Sequence, residues 1–309
     1  MNIDFDGIGR ELTQGISESL RIESCVQLMR LPPDARDFLF PKRKYDAKDS
    51  GTTIAAFTYE DGVIMVADRQ TSAGYQISSS ETNKIVDVSD YSIYGAAGLV
   101  SYIQEVVEKL KRLLIIFGSH IEAPIYIDGQ AKLLERILKI NSINTIFYYD
   151  ILGFVAVPIL AGWDPEYEIP RIYSYDAAGG MYDIASRTKQ YTATGSGSDF
   201  AKTILDDRWQ RGMSGDDAVE LAVRSVTRAG ERDVCTSFIT SPATIRIVSK
   251  NGLGHVSEDE AMSIAHKIFY DDLRRRNDPR AQFYFDVESK ADEAQNDEEN
   301  DKNGGDGNG

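Results

Sequence analysis

The stretch that decides the fold is GTTIAAFTYEDGVIMVADRQ, which runs from Gly51 to Gln70. It holds two runs of β-branched and apolar residues, 52–59 and 63–68, on either side of Glu60-Asp61-Gly62. Two such runs joined by a short turn with glycine are typical of a β-hairpin. The sequence therefore predicts a hairpin whose first strand begins at a Gly-Thr-Thr tripeptide.

Beyond the hairpin, the pattern predicts strands and helices in separate blocks. One helix follows Gly98, because apolar residues recur there on a single helical face, namely Leu99, Ile103, Val106, Leu110, Leu113 and Phe117. Two further helices are predicted at 130–139 and 258–276. Between them, one helix should begin at an N-cap at Ser198, and another should run from an N-cap at Ser214, with Asp217 three residues on, to a stop at Gly230. Further strands are predicted at 84–88, 91–97, 151–164, 171–180, 191–197 and 237–250, the last forming a hairpin with 254–258. Segregated blocks favour an antiparallel α+β layer fold over alternating βαβ units.

Two terminal segments differ in character from this central part. Residues 41–51, PKRKYDAKDSG, are polar and basic and predict an exposed, cleavable linker, preceded by a helix at 16–31. Residues 288–309 are charged and glycine-rich, a composition that cannot bury enough apolar surface to order itself. We predict a cleaved propeptide at 1–51, a folded domain at 52–287 and a disordered acidic tail at 288–309.

The charge of the chain disfavours two classes of partner. The net charge is −15, and −9 remains when the acidic tail is set aside. An acidic body does not attract a phosphate backbone or an anionic membrane surface, so we expect neither nucleic acid nor membrane as a partner. The first residues lack the apolar core of a signal peptide, and Cys25 and Cys235 would lie in separate chains after cleavage at residue 51. These features favour a cytoplasmic setting.

The usual catalytic side chains are scarce. There are three histidines, with His120 and His255 in predicted loops or edges and His266 in an amphipathic helix, which weakens a Ser-His or Cys-His mechanism. Ligand spacings typical of metal sites are absent from the sequence, so we expect neither a metal nor another cofactor. The segment 195–198, GSGS, could cradle a phosphate, but it lacks the lysine of a P-loop, and a plain strand-to-helix turn explains it better.

The Gly51-Thr52 junction offers a different chemistry. A threonine freed as an N-terminus carries a hydroxyl nucleophile and an α-amino base with an ordinary pKa of about 7.7 to 8.0. By itself the tripeptide is a common strand start, but the spacing around it adds weight. Asp68 ends the second strand, Lys84 begins the next and Gly98 closes the one after, so sheet pairing can bring all three beside Thr52. A cation there lowers the pKa of the hydroxyl, and a glycine N–H at a helix start can bind an oxyanion.

Several separated motifs resemble proteasome β-subunits. They are the opening stretch at 51–70, NKIV at 83–86, YGAAG at 94–98, SYDAAGG at 174–180, TATGSGSDFA at 192–201 and RDVCTS at 232–237. The resemblance spans about 51–270, and the long prosegment and acidic tail are most similar to the bacterial, actinobacterial-type subunit of the 20S core particle. It implies an αββα sandwich of the N-terminal-nucleophile (Ntn) hydrolase type and a threonine endopeptidase activated by autocatalytic cleavage between Gly51 and Thr52.

Site residues follow from this resemblance motif by motif. Thr52 would be nucleophile and base, and Asp68 and Lys84 the charged pair beside it. Ser196 and Asp233 would support the amine and its water, Thr236 stands where the family often has serine, and Gly98 supplies the oxyanion N–H. The side chain before the cut would meet Thr71, Val86, Ala96 and Val100, with Ser72 binding substrate backbone. Gln70 departs from the arginine that is frequent at its position.

The resemblance also implies partners, and two alternatives stay open. The expected assembly contains rings of seven β-subunits between α-rings, with a ring ATPase that feeds unfolded proteins. One alternative is a structural β-subunit without activity, which usually lacks the threonine, the lysine or the preceding glycine. The other is a single-substrate amidase of the same superfamily that forms no rings.

Overall fold

Two five-stranded antiparallel sheets form the centre of the computed structural model. It describes residues 51–73, 76–79, 82–152, 156–233, 236 and 243–280, with 71–79 and 141–152 described by secondary structure alone. One sheet has the order β10-β1-β2-β11-β12, the second has the order β5-β6-β7-β8-β9, and β3 pairs with β4 in a small ribbon. The strands are β1 Thr53–Tyr59, β2 Gly62–Ala67, β3 Thr71–Ala73, β4 Gln76–Ser79, β5 Ile85–Ser89, β6 Ser92–Ala97, β7 Val157–Asp164, β8 Ile169–Tyr175, β9 Met181–Asp183, β10 Tyr191–Gly195, β11 Thr244–Ser249 and β12 Gly252–His255.

Helices cover the outer face of each sheet. They are α1 Val100–Ile121, α2 Ile127–Leu152, α3 Ser198–Arg208, α4 Gly215–Gly230 and α5 Glu258–Arg275. The first two lie against the β5–β9 sheet, and the last three lie against the sheet that contains β1 and β2. None of the helices in the described ranges is long and apolar enough to span a bilayer.

Strand alternation explains how three cores hold these layers together. In β1, Ala55 and Phe57 face α3, α4 and α5, whereas Ile54 and Ala56 face the other sheet, because successive side chains point to opposite faces. Both faces of β1 are therefore buried. A third core lies between the second sheet and α1 and α2, where Tyr94 and Leu160 meet Leu134. The order of layers is helix, sheet, sheet, helix, which confirms the predicted four-layer αββα sandwich.

The predicted hairpin is confirmed, with Ile54 paired to Ala67 and Tyr59 to Gly62. The N-cap at Ser214 is confirmed too, since its side chain accepts from the backbone N–H of Asp217. The block order of strands and helices is also as predicted.

Several boundaries predicted from the sequence were wrong. Helix α2 extends well beyond 130–139 and the following strand begins at Val157, because an apolar run shows no clear difference between helix and strand. The strand predicted to 180 ends at Tyr175, since Asp176 accepts backbone N–H groups in a turn. Ser198 is the first residue of α3 and not its cap, and His120 lies in the last turn of α1 and not in a loop.

Short polar strands were missed by the sequence analysis. The ribbon of β3 and β4 and the three-residue β9 have little apolar alternation, which is the signal that predicts strands. The predicted helix at 16–31, Cys25, Cys235, most of the propeptide and the acidic tail lie outside the described residues.

Phe57 lies at the centre of the core between its sheet and the helices, with no exposed surface. We expect Phe57→Ala to lower the free energy of unfolding by about 3 to 5 kcal/mol, because a buried ring is replaced by a cavity. Guanidinium unfolding of the purified chain, followed by tryptophan fluorescence, measures this. Leu253→Ala, at a side chain that is 38% exposed, is the control and should change it by less than about 0.5 kcal/mol. Equal losses in the two variants would contradict this account of the core.

Candidate active site

Pairing of the β1–β2 hairpin sets the position of Thr52 and Asp68. Thr52 immediately precedes β1, and Asp68 immediately follows β2. The backbone N–H of Asp68 donates to the carbonyl of Thr53 at 3.1 Å, so the hairpin ladder continues one step past the strand ends. The Asp68 carboxylate in turn accepts the backbone N–H of Thr53 at Oδ1 (2.7 Å) and of Gln70 at Oδ2 (3.0 Å). These bonds tie the start of β1 to the end of β2.

A buried ion pair lies beneath this junction. Lys84 Nζ is 2.7 Å from Asp68 Oδ1, and the two side chains are 7% and 0% exposed. The same ammonium donates to the carbonyl oxygens of Gln70 at 2.6 Å and of Gly51 at 3.1 Å. A buried charge pair is tolerated only when such further bonds satisfy its remaining donors and acceptors. Because Gln70 contributes its backbone carbonyl, this contact does not depend on the identity of the side chain at position 70.

Two donors meet at the carbonyl that joins residue 51 to residue 52. The Thr52 hydroxyl donates to Gly51 O at 2.7 Å, and Lys84 Nζ donates to the same oxygen. A cation on a carbonyl oxygen polarises it and stabilises the negative charge that forms there when a nucleophile adds. Thr52 is only 8% exposed, so this arrangement is largely screened from solvent.

On the other side of Thr52, three polar side chains form a connected group. The backbone N–H of Thr52 donates to Ser196 Oγ at 3.3 Å, and Ser196 Oγ donates to Asp233 Oδ2 at 2.5 Å. Thr236 Oγ1 donates to the same carboxylate oxygen at 2.7 Å. Ser196 lies between β10 and α3, and Asp233 follows α4, so the helical layer supplies these groups. Asp233 makes at least one further interaction besides these.

Glycines allow the close approach of these segments. Gly195 has φ +97°, and a Cβ there would lie 1.9 Å from the carbonyl oxygen of Thr52. The same Cβ at residue 195 would lie 3.3 Å from the Cβ of Ala97, which is the last residue of β6. Gly98, with φ +135°, connects β6 to α1. The oxyanion role of its N–H stays a prediction.

The predicted pocket residues divide into two groups. Val86 on β5 and Ala96 on β6 pack into the core beneath α1 and α2, and the pairing of Ile85 with Gly95 places Lys84 opposite Ala96. Val100 is the first residue of α1 and is 46% exposed. Thr71 and Ser72 lie in β3, directly after Gln70, and their side chains lie outside the described part of the chain.

The predicted group of Thr52, Asp68, Lys84, Ser196, Asp233 and Thr236 is thus brought together by hydrogen bonds in the structure. Sequence reasoning missed Thr53, which bonds both Asp68 and Thr236. Strand alternation was the available signal, because it turns Thr53 toward the helical layer with Ala55 and Phe57. It also missed Gly195, whose only signal was its place in a glycine-rich turn.

Three other features of the sequence are the histidines, possible metal ligands and the GSGS segment. His120, His255 and His266 lie in α1, β12 and α5. Across the described ranges, no set of three or more His, Cys, Asp and Glu side chains could hold a metal ion. The GSGS segment at 195–198 forms a strand-to-helix turn in which Ser196 bonds the site carboxylate.

Comparison with known proteins gives one consistent family. The family model described as "Proteasome subunit" matches residues 48–245 of this chain. "Proteasome subunit beta" of Frankia alni is 32% identical over 232 residues, which cover 72% of this chain and 79% of that protein. The protein of the same name from Saccharopolyspora erythraea is 32% identical over 231 residues, covering 71% and 77%. "Proteasome subunit beta 1" of Thermococcus gammatolerans is 30% identical over 202 residues, covering 65% and 91%.

The Asp68–Lys84 pair yields a stability prediction. Lys84→Met leaves a fully buried carboxylate without its cation, and we expect a loss of about 3 to 5 kcal/mol in the free energy of unfolding. The double variant Asp68→Asn with Lys84→Met should lose less than the sum of the two single losses, by about 0.5 to 3 kcal/mol, because the pair is coupled.

Guanidinium unfolding of the four proteins in this cycle measures the coupling. Lys132→Met is the control, since the Lys132 side chain is 66% exposed and its ion pair with Glu135 should contribute less than about 1 kcal/mol. A Lys84→Met loss no larger than the Lys132→Met loss would refute the role given to the buried pair.

Proposed function

The chain belongs to the proteasome subunit family, and from this membership we propose how its own residues carry out the activity of a β-type subunit. It is a β-type subunit of the proteasome core, a threonine endopeptidase, and it assembles with other proteasome subunits. The proposal concerns the nucleophile, the groups that assist it, the cleavage that exposes it and the particle in which it works.

The observation that carries the proposal is the double contact at Gly51 O. Thr52 Oγ1 and Lys84 Nζ both lie within hydrogen-bond distance of this oxygen, at 2.7 and 3.1 Å. The nucleophile is therefore already beside the carbonyl that it has to attack, and a cation is in place for the oxygen that becomes negative. Residue 51 is glycine, so no side chain obstructs the approach of the Thr52 hydroxyl to its carbonyl carbon.

Release of the propeptide then takes two steps. Thr52 Oγ adds to the Gly51 carbonyl carbon while a water takes the hydroxyl proton, and Lys84 stabilises the resulting oxyanion. The C–N bond breaks, the Thr52 nitrogen gains a proton, and residues up to 51 remain as an ester on Oγ. Water hydrolyses that ester, which frees a carboxylate on residue 51 and both the amine and the hydroxyl of Thr52.

The mature site repeats this chemistry on substrate peptides. The α-amino group of Thr52 accepts the hydroxyl proton, since its ordinary pKa lies close to neutrality. Lys84 lowers the pKa of the hydroxyl and Asp68 holds Lys84 in place. Gly98 donates its N–H to the oxyanion, and Ser196, Asp233 and Thr236 orient the amine and its water. An acyl ester forms on Oγ, the amine side of the substrate leaves with a proton, and water completes hydrolysis.

The pocket proposal rests on Val86, Ala96, Val100 and Thr71, with Ser72 binding substrate backbone. Ala96 has a small apolar side chain and lies opposite Lys84 in the sheet register, which leaves room close to the nucleophile. Val86 and Ala96 contribute no charge. The pocket therefore favours medium or large apolar side chains before the cut.

The proposed particle has two rings of seven β-subunits between two rings of α-subunits, with a ring ATPase that supplies unfolded proteins in the cytoplasm. Relatives in three genera carry the name proteasome subunit beta, which supports the core assembly. A structural β-subunit without activity is disfavoured, because Gly51, Thr52 and Lys84 are all present and in contact. An amidase that forms no rings is disfavoured by the family membership.

We expect the β-subunit of the assembled wild-type particle to begin at Thr52 and the particle to cleave fluorogenic peptides. Thr52→Ala should keep residues 1–51 and lose peptide cleavage, whereas Thr52→Ser should retain processing because it keeps a hydroxyl. Intact mass, N-terminal sequencing and native mass of the particle measure these outcomes together. Thr58→Ala, a buried threonine elsewhere on β1, is the control and should be processed normally. An assembled, peptide-cleaving particle that retains residue 1 would refute the proposal.

A second prediction concerns the residue before the cut. Peptides with Leu, Phe or Tyr at that position should be cleaved with a higher kcat/KM than peptides with Glu or Asp. Ala96→Met should reduce cleavage after the largest side chains, because it fills the proposed pocket, while Leu253→Met on an exposed part of β12 serves as the control. Kinetic comparison of matched fluorogenic peptides tests this. Strongest cleavage after acidic residues would overturn it.

A further inference from the structure

Thr53 takes no part in the mechanism above, yet it is fully buried, bonds the carboxylate of Asp68 directly and is linked to that of Asp233 through one hydroxyl. Its backbone N–H donates to Asp68 Oδ1 at 2.7 Å. Its hydroxyl lies 2.7 Å from Thr236 Oγ1, which bonds Asp233. Neither Thr53 nor Thr236 exposes more than 3% of its surface, so solvent does not compete for these bonds. The residue after the nucleophile is thus held between the lysine side and the serine side of the site.

The direction of the hydrogen bonds follows from counting protons. Thr236 has one hydroxyl proton and gives it to Asp233 Oδ2 at 2.7 Å, because a carboxylate is the stronger acceptor. Its oxygen can then only accept from Thr53, so the Thr53 hydroxyl is the donor of that pair. Hydrogen bonds in series polarise and strengthen one another, so the bond from Thr53 to Thr236 strengthens the bond from Thr236 to Asp233.

Asp233 is reached from the other side by Ser196. Ser196 Oγ lies 2.5 Å from Asp233 Oδ2 and 3.4 Å from the carbonyl of Thr52, and the short bond to the carboxylate takes its proton. Its oxygen therefore accepts from the Thr52 N–H at 3.3 Å. The bonds form a closed ring that leaves Thr52 N, passes through Ser196, Asp233 and Thr236, and returns to the next residue of the same strand.

Gly197 gives this ring its space. A Cβ at residue 197 would lie 2.1 Å from Thr53 Oγ1 and 3.0 Å from Thr236 Oγ1, so only glycine admits both hydroxyls. The hydroxyl pair is therefore enclosed by β1, by the turn before α3 and by the segment after α4. Such enclosure restricts the rotamers of both threonines.

We propose that Thr53 is a positioning residue, whose hydroxyl acts through Thr236 and Asp233 to orient the amine of Thr52, an inference that rests on the proposed function. Once the amine is free, Ser196 Oγ accepts one of its N–H groups, and this turns the nitrogen lone pair toward the hydroxyl of Thr52. This orientation requires that the Ser196 hydroxyl donates to Asp233, because only then is its oxygen free to accept from the amine. The hydroxyl of Thr236 fixes the position of the Asp233 carboxylate, and the hydroxyl of Thr53 fixes the position of Thr236.

Removing the Thr53 hydroxyl should therefore affect proton transfer more than substrate binding. Asp233 would lose part of the donation that offsets its charge, and a less neutralised carboxylate raises the pKa of the nearby amine. A raised amine pKa moves the acidic limb of the pH profile of kcat to higher pH. In Thr53→Val, which keeps the shape and the strand propensity of threonine, kcat should fall about fivefold, the factor for one ordinary hydrogen bond.

The test compares assembled, processed particles by kcat, KM and the pH profile of kcat on one peptide. For Thr53→Val we expect the fall in kcat, an unchanged KM and the shifted acidic limb, and for Thr53→Ser the wild-type profile. Thr58→Val is the matched control, a buried threonine of the same strand whose hydroxyl bonds Gln190, and it should behave as wild type. If Thr53→Val does not assemble, Thr53→Ala and Thr53→Ser provide the same comparison, since they differ only by the hydroxyl.

Two results would overturn the inference. One is a Thr53→Val profile identical to that of Thr58→Val, and the other is a Thr53→Ser particle as impaired as the variant without a hydroxyl. Both leave the proposed function intact as long as the wild-type particle cleaves the peptide and Thr52→Ala does not. A wild-type particle without cleavage would instead refute the proposed function itself.

Discussion

The buried ion pair between Asp68 and Lys84 is the constraint on which the rest of the site depends. Both side chains are nearly or fully removed from water, so each must find its bonds within the protein. Asp68 finds them in backbone N–H groups of Thr53 and Gln70, and Lys84 in the carbonyls of Gln70 and Gly51. Satisfying the pair therefore fixes the chain on both sides of Thr52.

The αββα layers supply the rigidity that this arrangement needs. Strand β1 has buried side chains on both faces, one set against the helices and the other against the second sheet. A strand packed in this way cannot slip by one residue without moving its apolar side chains to the wrong layers. Thr52 at its start is consequently held in one position, while the turn at Gly195 comes within contact distance of its carbonyl.

Much of this could be predicted from residues 51–98 alone. Alternating apolar residues in TTIAAFTY and VIMVAD predicted the hairpin, and its register placed Asp68 beside the start of β1. The α+β class followed from the block order of strands and helices beyond residue 98. The length of α2 and the ribbon of β3 and β4 did not follow, because an apolar run is ambiguous between helix and strand and short polar strands carry little alternation. The cap assigned to Ser198 was wrong, since Gly197 takes the N-cap position and also leaves space for the hydroxyls of Thr53 and Thr236.

The sequence by itself determined which chemistry is available: a threonine after a glycine, with one aspartate, one lysine and one glycine at strand ends nearby, and few histidines to offer an alternative. Only the tertiary structure decided how these groups act together. Ser196, Asp233 and Thr236 lie more than 140 residues from Thr52 along the chain, and local patterns say nothing about contacts over such separations. The part played by Thr53 also depended on the tertiary structure, because strand alternation gives only the face of Thr53, whereas its hydroxyl partner Thr236 lies 183 residues further along the chain. Packing of the helical layer against β1 created those contacts.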